Sequence, residues 1–217
     1  MSRVSRAQTE VNYQRILHVA ARMVRELGAA KLSIPEVMNA AGLTHGGFYR
    51  HFASKDDLVA QAGAVAFAER SEALEAEIDR RNRDAESRAE GEVSGHYKAY
   101  LGGYVAAAHR DDPGTGCAAA ALAFDAAHFE GGEALKEVYA SGVKGMITAL
   151  EELAAKDGAA PAAEAAPDRT KVLVDLATVV GGITLARATR GDEISDEILN
   201  VIREHVAAEA TTPVRHD

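Results

Sequence analysis

The sequence predicts an all-α protein, and three observations carry that prediction. Alanine dominates the 47% of the chain that is apolar, and alanine is the strongest helix former. Aromatic residues are only 5%, with no Trp, and β-branched clusters are few, which disfavours a sandwich or barrel. Apolar residues recur at three- and four-residue spacing in segments that close on glycine.

Each element has its own signal. Tyr13, Ile16, Leu17, Ala20, Ala21, Val24 and Leu27 share one face of a first helix over residues 9–27, and Gly28 can turn left-handed to stop it. Ser33-Ile-Pro-Glu36 opens a second helix. Ser33 is its expected cap, Glu36 completes a capping box, and Pro35 sits in the first turn, where a missing N–H costs little. Gly42 takes the turn, Leu43 points inward and Thr44 caps a short third helix. Ser54 caps a fourth helix over 54–79, with Asp57 at the box position, and the charged stretch 80–93 reads as a loop. A fifth helix covers 93–110 and ends at the turn cluster Asp111-Asp-Pro-Gly-Thr-Gly116. A sixth covers 117–128 before Gly131-Gly132, and a seventh 134–156 before an Ala/Pro linker at 158–167. The eighth, 168–190, precedes Gly191, and the ninth, 195–209, starts at Ser195 without the acid of a full box. That makes about nine helices and no internal repeat.

Composition narrows the function classes. A lone cysteine, Cys117, forms no internal disulfide, so a reducing cytoplasm is expected. The N-terminus lacks an apolar stretch, so no signal peptide is expected. The most apolar run, 172–188, is interrupted by Asp175, Thr178 and Arg187 and is too polar and short for a membrane span. His96, His109 and His128 lack ligand spacing, so neither a metal nor a cofactor is expected. Charge is uneven. Residues 1–54 carry seven basic side chains against three acids, a net of +4, which leaves −13 for the remainder of a chain whose net charge is −9. A basic head on an acidic body is the asymmetry of a protein whose head alone meets phosphates. Ordinary charge scatter gives the same asymmetry.

The second helix, the glycine turn and the third helix have the layout of a helix-turn-helix, with Val37, Leu43 and Phe48 where the two helices pack. A plain helical hairpin shares that layout. The residues that follow are more specific. Gly42-Leu-Thr-His-Gly-Gly-Phe-Tyr-Arg-His-Phe-Ala-Ser-Lys55 closely resembles the signature of the TetR family of regulators, and the resemblance covers residues 11–62. Met38 departs from it, standing where the family often has Ala, and a flexible Met fills such an interhelical gap. Beyond residue 62 the resemblance is one of architecture only.

The resemblance implies an N-terminal three-helix DNA-binding domain (residues 1–53) and a C-terminal helical domain (54–217) that senses a ligand and dimerises. Partners would be double-stranded operator DNA, a small-molecule effector and a second copy of the chain. The residues read the same way on their own chemistry. Thr44 offers a hydroxyl to a phosphate, and His45 and Gly46 lie at the end of the recognition helix that reaches base edges. Gly46 and Gly47 each cost roughly 1 kcal/mol of helix propensity against Ala. Close approach of the backbone to DNA would recoup that cost; a merely flexible turn is the alternative. Tyr49 suits a phosphate or a thymine methyl, and Arg50 and His51 suit phosphates. Lys55 sets a cation in a first helical turn, against the dipole, unless a phosphate lies nearby; in the family this Lys contacts phosphate. Ser33 is counted with them, and Arg3 and Arg6 form a basic arm or a plain solvated tail.

For the effector, candidate lining residues are Phe67, Tyr97, Tyr100, Tyr104, Cys117, Phe124, His128 and Met146, although a tyrosine stripe is equally a core feature. By resemblance the eighth and ninth helices form the dimer interface, through Leu173, Leu176, Val180, Thr184, Ile198, Val201, Ile202 and His205. Part of each stripe must also be intramolecular core. Gly181 and Gly182 let a neighbouring helix approach. The rival reading is a helical-bundle thiol enzyme or redox sensor using Cys117, whose place at a helix start favours the thiolate.

Overall fold

A computed structural model describes residues 6–86, 96–128, 132–157 and 169–208. Among these there is no strand, and the elements are α1 (Arg6–Leu27), α2 (Ile34–Ala40), a 3-10 helix (His45–Arg50), α3 (Lys55–Glu86), α4 (His96–Tyr104), α5 (Ala107–Asp111), a 3-10 turn (Pro113–Thr115), α6 (Ala118–His128), α7 (Glu133–Asp157), α8 (Arg169–Ala188) and α9 (Glu193–Ala208). The sequence reading expected a division at 53/54. By contacts it forms two compact units, one of residues 1–70 and 112–144 and the other of 71–111 and 145–217.

In the first unit the α1 stripe packs as its spacing requires. Ile16, Leu17, Ala20, Ala21 and Val24 are buried, and so are Val37 and Met38 of α2, Phe48 and Phe52, and Leu58, Val59, Ala62 and Ala66 of α3. Each fully buried large side chain contributes about 1.5–3 kcal/mol. Gly28 and Gly42 have φ of +82° and +70°, the left-handed stops expected of them. Ser54 caps α3 as expected: Asp57 N donates to Ser54 Oγ at 3.0 Å, and Ala53 N donates to Asp57 Oδ2 at 2.9 Å. At the other starts the prediction fails. Neither Ser33 nor Thr44 makes a side-chain cap bond, although both have the extended backbone of an N-cap. Later in this unit α7 lies flush on α3. A Cβ on Gly142 would fall 2.4 Å from the Phe67 ring, and one on Gly63 would fall 3.1 Å from Leu135.

In the second unit α8 and α9 pair closely. A Cβ on Gly182 would fall 2.3 Å from Ile202 Cδ1, whereas Gly181 has no neighbour within 4 Å. The core comprises Leu101, Tyr104, Val105, Leu150, Leu153, Val172, Val179, Ile183, Leu199 and Val206. Three sequence expectations are corrected here. Residues 80–86, read as loop, continue α3, and the single helix expected over 93–110 is broken at Val105–Ala106 into α4 and α5. Ser195 does not cap α9. It is 1% exposed and donates its hydroxyl to Ala186 O at 2.7 Å, while Asp192 Oδ1 accepts from Ile194 N at 3.0 Å. Arg3, residues 87–93 of the expected loop, Gly131 and the 158–167 linker lie outside the described residues.

Candidate nucleic-acid interface

The recognition segment is anchored on one side and open on the other. After α2, Leu43 N donates to Met38 O at 2.8 Å and Gly42 N to Asn39 O at 2.9 Å, closing the turn. The chain extends at Thr44 (φ −83°, ψ 144°) and winds into the 3-10 helix His45–Arg50. A short helix was expected here, and its winding is 3-10. Two adjacent glycines give no propensity to sustain an α-helix, and 3-10 geometry is favoured in such short pieces. Phe48 is 0% exposed. Its ring stacks on Phe52 at 5.5 Å, and Phe52 stacks on Tyr13 of α1 at 5.3 Å. The Tyr13 hydroxyl in turn donates to Gln61 Oε1 of α3. This aromatic column ties the segment to α1 and α3, so Phe48 and Phe52 are the core anchors that their type suggests.

Facing away from the column, Tyr49 is 70% exposed, with its ring edge-on to Phe48 at 5.1 Å. Thr44, His45, Gly46 and Arg50 are exposed, while Gly47, His51 and Ser33 are half-buried. The glycines have no internal reason to be glycine. A Cβ on Gly46 would meet nothing within 4 Å, one on Gly47 only Met38 Cε at 3.7 Å, and neither has a positive φ. Thr44, Gly47, Arg50 and His51 share a hollow with Thr9 and Asn12 of α1, along with Met38 and Leu43. Thr9 and Asn12 were missed from sequence; their signal is a polar position at the start of α1, ahead of the apolar stripe. Lys55 is half-buried, and its ammonium donates to Ala30 O at 3.0 Å. That carbonyl, with Asp56 and Asp57 in the same first turn, offsets the clash with the helix dipole.

The effector candidates do not converge in one unit. Phe67, Cys117, Phe124 and His128 belong to the first, and Tyr97, Tyr100, Tyr104 and Met146 to the second. Phe67 is a packed core ring, edge-on to Tyr139 at 5.7 Å. Phe124 and His128 stack on each other at 4.4 Å on the surface of α6, with Phe124 73% exposed. Expecting them to line an interior was wrong, because their helix buries Ala118, Ala119 and Leu122 instead. Tyr97 and Tyr104 are buried and Tyr100 is half-buried against Tyr104, ring to ring at 6.3 Å. Met146 is 8% exposed. The stripe brings in a residue missed from sequence: the Tyr97 hydroxyl donates to the buried Asp175 at 2.7 Å, and Lys171 Nζ donates to the same oxygen at 2.9 Å. The Cys117 side chain is fully buried. Burial, and then the neighbouring Cys117, push the Tyr139 phenol above its ordinary 10.0.

On α8 the buried face is Val172, Asp175, Leu176, Val179, Gly182, Ile183 and Ala186. Leu176 therefore belongs to the core of its own unit, not to an outer surface. Leu173, Thr184, Val201 and His205 are exposed, while Val180, Ile198 and Ile202 are half-buried. The Thr184 hydroxyl is spent on Val180 O at 2.8 Å. Among the described residues, five of the nine exposed large apolar side chains (Leu173, Val174, Leu185, Ile194 and Val201) lie on α8 and α9. Among the described residues no helix is long and apolar enough to cross a membrane, and no cluster of His, Cys, Asp or Glu could hold a metal ion.

A buried aromatic anchor beneath an exposed, polar, glycine-containing turn defines a helix-turn-helix module. Residues 16–62 match the bacterial regulatory proteins of the tetR family. The chain is 36% identical over 61 residues to the HTH-type transcriptional regulator AcrR of Shigella flexneri, a match spanning 28% of each chain's length. Across nearly the whole chain the fold is that of a TetR transcriptional regulator from Chloroflexus aurantiacus (TM-score 0.71, 22% identity, covering 97% of this chain and 100% of that one). It is also similar to a FadR regulator from Bacillus subtilis solved in complex with stearoyl-CoA (TM-score 0.58, 15% identity, covering 90% and 98%).

Proposed function

We propose that this chain is a DNA-binding transcription regulator, a repressor that holds a palindromic operator as a homodimer and releases it when a small molecule binds the C-terminal helices. The observation that carries this reading is the exposed face of residues 44–50. Its two glycines are demanded by nothing inside the protein, whereas a groove-inserting segment needs such bareness to bring its backbone near bases and phosphates. Thr44, Arg50, His51 and Lys55 serve the phosphates, with Thr9 and Asn12 beside them, and His45 and Tyr49 meet the bases.

The dimer is supported by the apolar side chains left exposed on α8 and α9, a concentration that marks an interaction surface. A two-fold pair reads a two-fold sequence, with half-sites about one helical turn, roughly 34–36 Å, apart. The FadR relative, with stearoyl-CoA bound, supports an effector site in the helical body. There the Tyr97–Asp175–Lys171 cluster is the polar feature that a partly apolar ligand would meet.

Selection of bound duplexes from random DNA tests the reading. Wild type should enrich an inverted repeat. Val201→Asp, which sets a charge on the proposed interface, should give a monomer by sedimentation that enriches only a half-site. Failure of wild type to enrich any sequence would remove the proposal.

A further inference from the structure

We propose that Met38 is a positioning residue for sequence reading: its side chain is the floor that limits how far the bare half of the recognition segment, residues 44–47, can sink away from DNA. This role rests on the regulator reading, which it deepens, but the support itself exists in the chain without DNA.

The segment is held unequally along its length. Its later half carries the Phe48 ring, which is fully buried and stacked on Phe52. Phe48 O also accepts from His51 N at 2.9 Å and from Phe52 N at 3.1 Å. The earlier half has no such anchor. Thr44, His45 and Gly46 are exposed, and Thr44 makes no side-chain cap bond. Glycine has no side chain to pack and is the least restrained residue of the backbone. Among the described residues, a Cβ on Gly46 would meet nothing within 4 Å, and one on Gly47 would meet Met38 Cε alone, at 3.7 Å. That methyl is therefore the first atom this half reaches when it moves inward.

Met38 is itself held in place. It lies on α2 and is 0% exposed, and its carbonyl accepts from Leu43 N at 2.8 Å. One residue thus closes the turn through its backbone and stands beneath Gly47 through its side chain. The same side chain lines the hollow of about 220 Å³ that has Thr44, Gly47, Arg50 and His51 on its walls, so its length helps to set the depth of that hollow. An Ala in its place would end three heavy atoms short and leave the space under Gly47 open. Bulk has been moved across the contact, out of the glycine segment and into α2. An unbranched thioether suits the task, because it fills an irregular gap without forcing its neighbours.

Two variants of the full chain test the role. Met38→Ala removes the floor, and Met38→Leu keeps most of its apolar volume. Amide exchange followed by NMR reads the support without DNA. In Met38→Ala, exchange at Gly47, whose amide bonds Thr44 O at 3.0 Å, should rise about tenfold. His51 and Phe52, whose amides bond Phe48 O, should keep their wild-type rates, and Met38→Leu should restore Gly47. An equal rise at all three amides marks a general loss of stability and overturns the proposal, and so does no rise at Gly47. If Met38→Ala does not fold, Met38→Val gives the same comparison with a smaller rise. On a duplex selected by wild type, Met38→Ala should lower the ratio of matched to mismatched affinity about tenfold and leave the slope of log affinity against log salt unchanged. An unchanged ratio overturns the part played in reading. A wild type that selects no duplex sinks the regulator reading, while the exchange rates still decide whether Met38 supports the segment.

Discussion

At the residue scale, the proposed recognition face separates side chains that hold it from side chains proposed to read DNA. Phe48 and Phe52 are buried and stacked, so their substitution would act through folding. Lys55 and His45 are different in kind. Lys55 is set back at the base of the face on Ala30 O, where a phosphate would be a second acceptor for its ammonium, whereas His45 stands exposed at the front. Lys55→Ala should therefore weaken binding to every sequence alike and reduce the slope of log affinity against log salt by about 1. His45→Ala should leave that slope unchanged and relax the preferred base at one position. Affinity titrations at several salt concentrations, with matched and mismatched duplexes, check both. Residue chemistry also explains what sequence reading missed. Arg25 falls four residues after the buried Ala21 and eight after Leu17, so it sits on the apolar face of α1. A charge in that position is the visible signal, but its partners Gly114 and Glu69 are far away in sequence and give none.

At the element scale, local rules worked where local chemistry decides. Gly28, Gly42 and Gly191 all have positive φ, and each stood at a helix end in the sequence. The Ser54–Asp57 box forms in full, so Asp57→Ala should lower stability by about 1 kcal/mol, measurable as a drop in the urea midpoint with an unchanged slope. Rules failed where tertiary packing decides. The break at Val105–Ala106 has no proline, and the Gly102-Gly103 pair just before it was not read as a stop; the broken end is held by Arg203, which donates to Val105 O at 3.0 Å, and by His109, paired with Tyr104 O at 2.7 Å. Residues 80–86 stay helical despite their charge. The Arg25–Glu69 ion pair responds to acid. Partial burial raises the Glu69 pKa, but hydrogen bonds from His18 and Arg25 outweigh it and hold the carboxyl below its ordinary 4.5. A group depressed in the folded state contributes stability that is full above its unfolded pKa and fades as pH falls through the folded one. The pair thus weakens only below about pH 4.5 and is intact at neutral pH.

At the scale of the whole molecule, charge and apolar surface assign different tasks to different ends of the chain. Residues 1–54 carry a net charge of +4 and the remainder one of −13. Among the described residues, most exposed large apolar side chains lie on α8 and α9, while residues 44–50 expose Tyr49 alone of that kind. The head was legible from sequence because its motif is dense and its contacts are short in sequence. The effector site was not, since its candidates come from α3, α4, α6 and α7, and burial, which sorts core from cavity, is a property of the folded chain. All of this depends on residues 44–51 meeting DNA directly. Amide NMR during titration with a selected duplex measures that contact. The Gly46 and Gly47 signals should move first and furthest, with their neighbours from Thr44 to His51 following. Unmoved glycine signals, with the shifts confined to another described segment, would contradict the account.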